Sequence, residues 1–412
     1  MADLWKARPQ PGERATDALA DVRVVDLSGV GAFASMILAD FGADVIRVAP
    51  VPGVRGKSFT TASRFDPEQK HDPVRGARFN ALHRGQRSIA LNLKDERGQD
   101  VLHRLVADAD VVLESFRPGV VDRLGAGYEA LSAINPRLVY CSLSGFGQSG
   151  TYRDVPGHDI NYIALGGLLA LSQRPGSKPA VPVNFGADFA GGGLYATTAI
   201  LIALHARAMT GRGQHVDMAM SDGVMALLTA PSIGWFSDGE EILPGRYFLN
   251  GGMPWYEVYE CGDGRWVALG CIEDSFYRNL CRGLELGEYA DRQYDATCHD
   301  EFRARLETIF RSQSADHWVE LLLPFDVPIS PVLEQREFAE HPHIAARGMV
   351  HEFEGDVGTV RQIGVGPKLS DTPGAPSTHA PVPGEQTVDI LAALGMPAGT
   401  IEELLAGRVA WA

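Results

Sequence analysis

At 412 residues, 45% hydrophobic and 22% charged, the chain has material for two or three domains and a large core, as in an ordinary globular enzyme. Its net charge of −15 argues against nucleic acid or an anionic membrane as partner, while leaving room for a local basic pocket. The N-terminal MADLWKARPQPGERATDALAD lacks an apolar core of signal-peptide type, and no window nears the roughly 18 consecutive apolar residues of a membrane span. The five cysteines, Cys141, Cys261, Cys271, Cys281 and Cys298, form no CxxC pair, so a reduced, cytoplasmic protein without a structural zinc site is expected.

Short β-branched runs alternate with amphipathic stretches through the first half. Val22–Ser28 reads as a strand, Gly31–Ala43 as a helix and Asp44–Pro50 as the next strand. Glu96–Ala109 reads as a helix, and Asp110–Phe116 and Arg137–Ser144 as strands. That rhythm predicts a parallel sheet with helices on both faces. The polar stretch between Pro50 and Arg84 is long for a connection inside a compact domain and is expected to be a surface flap. A helical run from Phe189 to Gly211 follows Asp188. Near Trp255 a second strand-rich region begins, with a Gly262-Asp263-Gly264 hairpin turn, and helices are expected from Phe276 to about Leu323. Strand-like VHEFEG and VRQIGVG, a Pro/Gly-rich stretch at 371–384 and a last helix around 386–394 complete the chain. The expected division is a discontinuous large α/β domain, 1–225 with 340–412 and including a linker helix, and a smaller α+β domain at 230–335.

Two glycine motifs invite a nucleotide reading. Gly29–Ala34 fits G-x-G-x-x-A between a strand and a helix, the context of a dinucleotide fingerprint. That fingerprint wants a carboxylate at the end of the second strand for the ribose, and the chain has Arg47, which suits a phosphate. A nucleotide-dependent oxidoreductase is therefore the weaker alternative, and a tight strand-to-helix turn the better reading. Gly145–Gly150 also fits G-x-G-x-x-G, but TYRDVPG follows, which cannot open a helix. It reads as a glycine-lined loop leading to Gly157 and His158.

Asp188, in NFGADFAGGG, stands where a helix begins, as an N-cap would. Gly191, Gly192 and Gly193 follow, although glycine inside a helix costs about 1 kcal/mol relative to alanine. Missing side chains there would let a ligand approach backbone amides, and a helix start favours negative charge. His158, in GHDINY, also stands at a helix start, where the dipole favours the neutral imidazole required of a base.

GHDINY (157–162), ADFAGGG (187–193), GADVIRV (42–48), RPGVVDRLG (117–125), SGFGQSG (144–150) and CIEDSFY (271–277) together resemble CoA-transferase family III, of the CaiB/BaiF type, and within it the α-methylacyl-CoA racemase branch. The resemblance runs from about Val22 to about Pro367. It implies a Rossmann-like large domain with a parallel sheet plus a smaller domain, two chains interlocked as a homodimer, and each site shared between the large domain of one chain and the small domain of the other. It implies His158, Asp188 and Glu273 as the catalytic group in a racemase, or Asp188 alone as an acyl-accepting nucleophile in a transferase. It places CoA against Arg47, Leu91, Asn92, Leu93 and Lys94, Ser115, Phe116 and Arg117, Arg123, and Gly157 with Asp159, Ile160, Asn161 and Tyr162. Asp159 reads more simply as a first-turn helix residue than as a catalyst.

The chemistry agrees with that implication. Inverting a carbon beside a thioester needs a base on one face, an acid on the other and stabilisation of the enolate between them. His158 can take the proton, Glu273 can orient the imidazole as the carboxylate of a triad does, and protonated Asp188 can return a proton from the opposite side. No redox cofactor or metal is called for, CoA being part of the substrate. Arg84 and Arg87 are further phosphate candidates, or else a solvated face. The main alternative is CoA transfer through an Asp188 acyl-enzyme, which would need neither His158 nor Glu273. The acyl group itself, whether branched fatty, steroid side chain or aryl-propionyl, is left open.

Overall fold

The computed structural model describes residues 4–8, 17–29, 31–52 and 72–412, with the backbone alone at Pro73. Among these residues twelve strands form: β1 (Arg23–Asp26), β2 (Asp44–Pro50), β3 (Arg87–Leu91), β4 (Val111–Glu114), β5 (Val139–Ser144), β6 (Gln214–Ala219), β7 (Tyr256–Glu260), β8 (Trp266–Gly270), β9 (Ile329–Pro331), β10 (Val350–Phe353), β11 (Val360–Ile363) and β12 (Ala410–Trp411). The chain divides into two compact units, one of residues 1–166, 183–227 and 342–412, the other of 167–182 and 228–341.

The first unit is built on a seven-stranded sheet in the order β12-β3-β2-β1-β4-β5-β6. Every pairing is parallel except β12 with β3. The central strands read as unbroken apolar runs because both faces are covered: β4 and β5 are buried at every position. Helix Glu96–Val106 begins where the Asp95 carboxylate accepts the Arg97 N–H, and it buries Val101, Leu102, Leu105 and Val106. Strand β12, which the sequence reading did not foresee, covers the edge that β3 would otherwise expose. The last helical region is two helices, Thr387–Ala393 and Ala398–Ala406. The β10–β11 hairpin matches the two strand-like segments expected in the tail.

Phe185–Thr210 is one helical run, but not a uniform one. Phe185–Leu194 is π-helical and Tyr195–Thr210 is α-helical. Asp188 therefore lies inside the first turn and is not the N-cap. By length and composition this run could cross a membrane, an exception to the expectation that no segment comes near a span. Here it packs on β5, β6 and helix Ala32–Asp40, burying Ala196, Ile200 and Ala203.

The three glycines of the π-helical segment serve packing. A Cβ on Gly191 would lie 2.9 Å from the backbone nitrogen of Val224, one on Gly192 2.7 Å from the Ala187 carbonyl, and one on Gly193 2.9 Å from Phe33 Cβ. Across the crossing, a Cβ on Gly223 would sit 1.8 Å from the Gly191 carbonyl oxygen. Helix Met220–Leu227 and the π-helical segment thus meet backbone to backbone. The close approach expected of a ligand is made by a neighbouring helix.

The second unit holds the three-stranded antiparallel sheet β7-β8-β9 and the helices Asp274–Gly283, His299–Phe310 and Ala315–Leu322 around an apolar core. Residues 167–182, assigned to the large domain from sequence, belong here. Arg174 makes two 2.6 Å hydrogen bonds to Glu257 on β7, and Glu257 also accepts from Arg303. A forked guanidinium–carboxylate pair with little exposure on the acidic side holds that segment in place.

Candidate active site

The sheet order reverses between β1 and β4, each leaving the sheet at its C-terminal end beside the other. In open α/β sheets ligands bind at such a switch point. The two loops are joined directly: the Gly29 N–H donates to Ser115 Oγ at 2.8 Å. The motif residue Val30 lies outside the described residues, as does 53–71 of the expected flap.

The loop after β5 carries GHDINY. Tyr162 is buried, and its ring lies so close to Gly145 and Gly157 that a Cβ on either would fall 2.2 or 2.6 Å from a ring carbon. Its hydroxyl donates to the Gly157 carbonyl at 2.6 Å, and its ring meets Phe146 edge-on at 5.0 Å. This clamp explains the glycine before His158. His158 is exposed at the N-cap of helix Asp159–Leu165, and its N–H donates to Asn161 Oδ1 at 3.1 Å. Ile160 and Asn161 are exposed beside it.

Asp159 links this helix to Asp188. It is buried, and its Oδ2 accepts the N–H groups of Ala187 at 2.7 Å and Asp188 at 2.9 Å. Through that oxygen it places the Asp188 backbone. Asp188 is half-buried and accepts from Asn184 Nδ2 at 2.7 Å. Burial raises its carboxyl above the usual range, aided by the Asp159 charge and opposed by the Asn184 hydrogen bond and by His158. An exposed imidazole and a carboxyl biased towards its protonated form thus stand within electrostatic reach of one another. Asn184 was not singled out from sequence, although its spacing of four from Asp188 puts both on one helix face.

The remaining site residues differ in availability. Arg117 and Arg123 are exposed, and Arg123 donates to the Gly119 carbonyl at 2.9 Å. Arg117 lies close enough to Tyr162 to oppose the rise in its phenol's pKa, so the Ser115–Arg117 turn and GHDINY are neighbours. Phe116 packs against the core. Lys94 is exposed, with its N–H on Asn92 Oδ1, and Leu93 is partly buried. Leu91 is a core side chain, so a ligand would meet only its backbone. Arg47 sits on β2 opposite Asp26, and its Nε is buried without a hydrogen-bond partner.

Two further arginines are not available. Arg84 is 2% exposed and grips Asp40 through two hydrogen bonds, and Arg87 bonds Asp44. Both are structural, because helix Ala32–Asp40 and β2 each place a carboxylate against them. Glu273 lies in the second unit, exposed at the N-cap of helix Asp274–Gly283.

The profile of CoA-transferase family III matches residues 19–387. The chain belongs to this family. Among family III relatives, the α-methylacyl-CoA racemases of Mus musculus and Homo sapiens are each 38% identical to it over 400 and 399 residues, covering 95% of this chain and 97% of theirs. An acetyl-CoA:oxalate CoA-transferase of Acetobacter aceti is 34% identical over 338 residues, 79% of this chain and 84% of its own. A crystal structure of a CaiB/BaiF family protein from Brucella suis superposes with a TM-score of 0.76 at 30% identity, covering 92% of this chain and 99% of that one. The chain is thus an enzyme of family III type, with racemases and transferases both among its relatives.

Proposed function

We propose that the protein racemises 2-methylacyl-CoA thioesters. The observation that carries this reading is the pairing of exposed His158 with half-buried Asp188, whose carboxyl burial biases towards protonation. His158 abstracts the α-proton from one face of the substrate. The electron pair moves into the thioester carbonyl as an enolate, and Asp188 delivers a proton to the other face. In the reverse direction Asp188 is the base and His158 the acid. Asp159 fixes the Asp188 backbone by two hydrogen bonds, so the acid is held in place beside His158. Glu273 orients and stabilises the imidazole once it is charged.

CoA lies along the switch point, with its phosphates on Arg117, Arg123 and Arg47. The unpartnered Arg47 Nε supports the last of these, since a buried donor left unsatisfied is costly. The enzyme works as an interlocked homodimer in the cytoplasm, with Glu273 supplied by the partner. Apolar exposure on the helical run favours a covering chain: Ile202 is 64% and Met209 72% exposed.

The transferase reading has family III relatives such as the Acetobacter aceti enzyme in its favour and assigns Asp188 an acyl-accepting role. One experiment separates the two. A single enantiomer of a 2-methylacyl-CoA is incubated without an acceptor acid, and optical purity is followed by chiral separation. Racemisation supports the proposal. Retained configuration there, with CoA moving to a carboxylic acid supplied in a second, parallel incubation, replaces it with CoA transfer.

A further inference from the structure

Glu114 ends β4, and it is 1% exposed. A carboxylate at that depth is expensive unless it is paired, and among the described residues no ion pair reaches it. It has hydrogen bonds instead. Oε2 accepts the N–H of Phe116 at 2.7 Å, in the middle of the Ser115–Arg117 turn. Ser142, its register partner on β5, also bonds the carboxyl group. Ser142 Oγ lies 3.0 Å from His215 Nε2 on β6. His215 stacks on Tyr128 with ring centroids 5.0 Å apart and meets Tyr140 edge-on.

The result is a chain of hydrogen bonds from the Phe116 amide through Glu114 and Ser142 to His215. Its direction depends on one proton. When Glu114 is ionised, the Ser142 hydroxyl donates to it and His215 Nε2 donates to Ser142. When Glu114 is protonated, it donates to Ser142 and the hydroxyl turns to donate to Nε2. Among the described residues, the other titratable groups that act on or with Glu114 are Asp122, the Tyr140 phenol and the Cys141 thiol, with Asp217 beyond Ser142 on β6. None is a cation. Burial, opposed by the bonds from Ser142 and Phe116, pushes the Glu114 carboxyl up to about 7.

We propose that Glu114 is a positioning residue for acyl-CoA binding: as a carboxylate it holds the Ser115–Arg117 turn through the Phe116 amide, and a proton taken up through His215 and Ser142 loosens that hold. A hydrogen bond to a charged acceptor is about twice as strong as one to a neutral acceptor. The difference acts directly on the backbone that carries Ser115, which bonds Gly29, and Arg117. The inference rests on the reading that this turn contacts CoA.

The test is the dissociation constant of CoA, measured by calorimetry from about pH 6 to about pH 8.5. Wild type, Glu114→Gln, Ser142→Ala and Arg117→Gln are compared. The glutamine variant keeps an acceptor for Phe116 but cannot titrate, so the ratio of wild-type to variant constants removes the ionisation of CoA itself. Wild type should tighten by roughly fivefold relative to Glu114→Gln as pH rises through about 7. Ser142→Ala, which removes a bond favouring the ionised carboxyl, should move that midpoint upward. If Arg117→Gln weakens binding while wild type and Glu114→Gln share one pH profile, the proposal is wrong and the CoA placement stands. If Arg117→Gln binds CoA as wild type does, the turn does not touch the nucleotide and both fall. Should Glu114→Gln not fold, an unmoved midpoint in Ser142→Ala is sufficient to overturn the proposal.

Discussion

Asp188 and Asn184 show how one hydrogen bond tunes the proposed acid. The Asn184 amide favours the ionised carboxyl, against burial and the Asp159 charge. Asn184→Leu should therefore let Asp188 keep its proton to higher pH, and the alkaline limb of the rate of proton return should move upward. An unchanged pH–rate profile would remove Asn184 from the mechanism. Asp188→Asn should instead lower turnover by roughly 10²-fold or more, as expected for loss of a general acid. Arg47 needs a gentler substitution than its charge suggests. It stands beside Asp26, whose carboxyl is itself raised by burial, so a glutamate there would bring two buried carboxyl groups together. Arg47→Met keeps the stem's packing and removes the donors. The Michaelis constant for the CoA ester should rise by roughly tenfold or more, with the maximal rate changing less, because the proposed guanidinium–phosphate contact would be lost far from the reacting carbon. A Michaelis constant equal to that of wild type would place the phosphates elsewhere.

At the level of elements, the parallel strands were legible because burial on both faces leaves unbroken apolar runs: Asp44–Pro50 is a strand over the range expected. The helix Glu96–Val106 was legible from its spacing and its Asp95 cap. Other features follow from tertiary contacts that no local pattern carries. Nothing in FAGGGL signals a π-helix, since the wider turn is stabilised by the backbone crossing with Met220–Leu227. The two-residue β12 has no periodicity to detect, and Arg84 looks like any surface arginine until Asp40 is seen facing it. His158 and Asp188 are singled out by motif, whereas Asn184, Asp159's link to Asp188, and Glu114 emerge only from tertiary contacts. The helix crossing gives a direct test of packing. Gly223→Ala drives a methyl into the Gly191 carbonyl and should destabilise by about 2 kcal/mol or more, measured by denaturant unfolding. Gly287→Ala, with open space at the same atom, should fall within about 0.5 kcal/mol of wild type. Equal stabilities would contradict the backbone-to-backbone crossing.

For the whole molecule, the proposal joins His158 and Asp188 of one chain with Glu273 of another. Co-expression of His158→Ala with Glu273→Gln chains tests this, because a mixed dimer then keeps one site with both residues intact. Activity regained in the mixed dimer supports composite sites, and uniform inactivity means that both residues of a site come from the same chain. The central claim, that this family III enzyme inverts a carbon next to a thioester, is tested most directly at that carbon. The α-proton signal of an (S)- or (R)-2-methylacyl-CoA is followed by proton NMR in D₂O, with enzyme and without any acceptor acid. Racemisation through an enolate predicts loss of the α-proton signal as solvent deuterium enters, with both enantiomers converging on one mixture. An α-proton that persists undiminished across branched and straight-chain thioesters would contradict it.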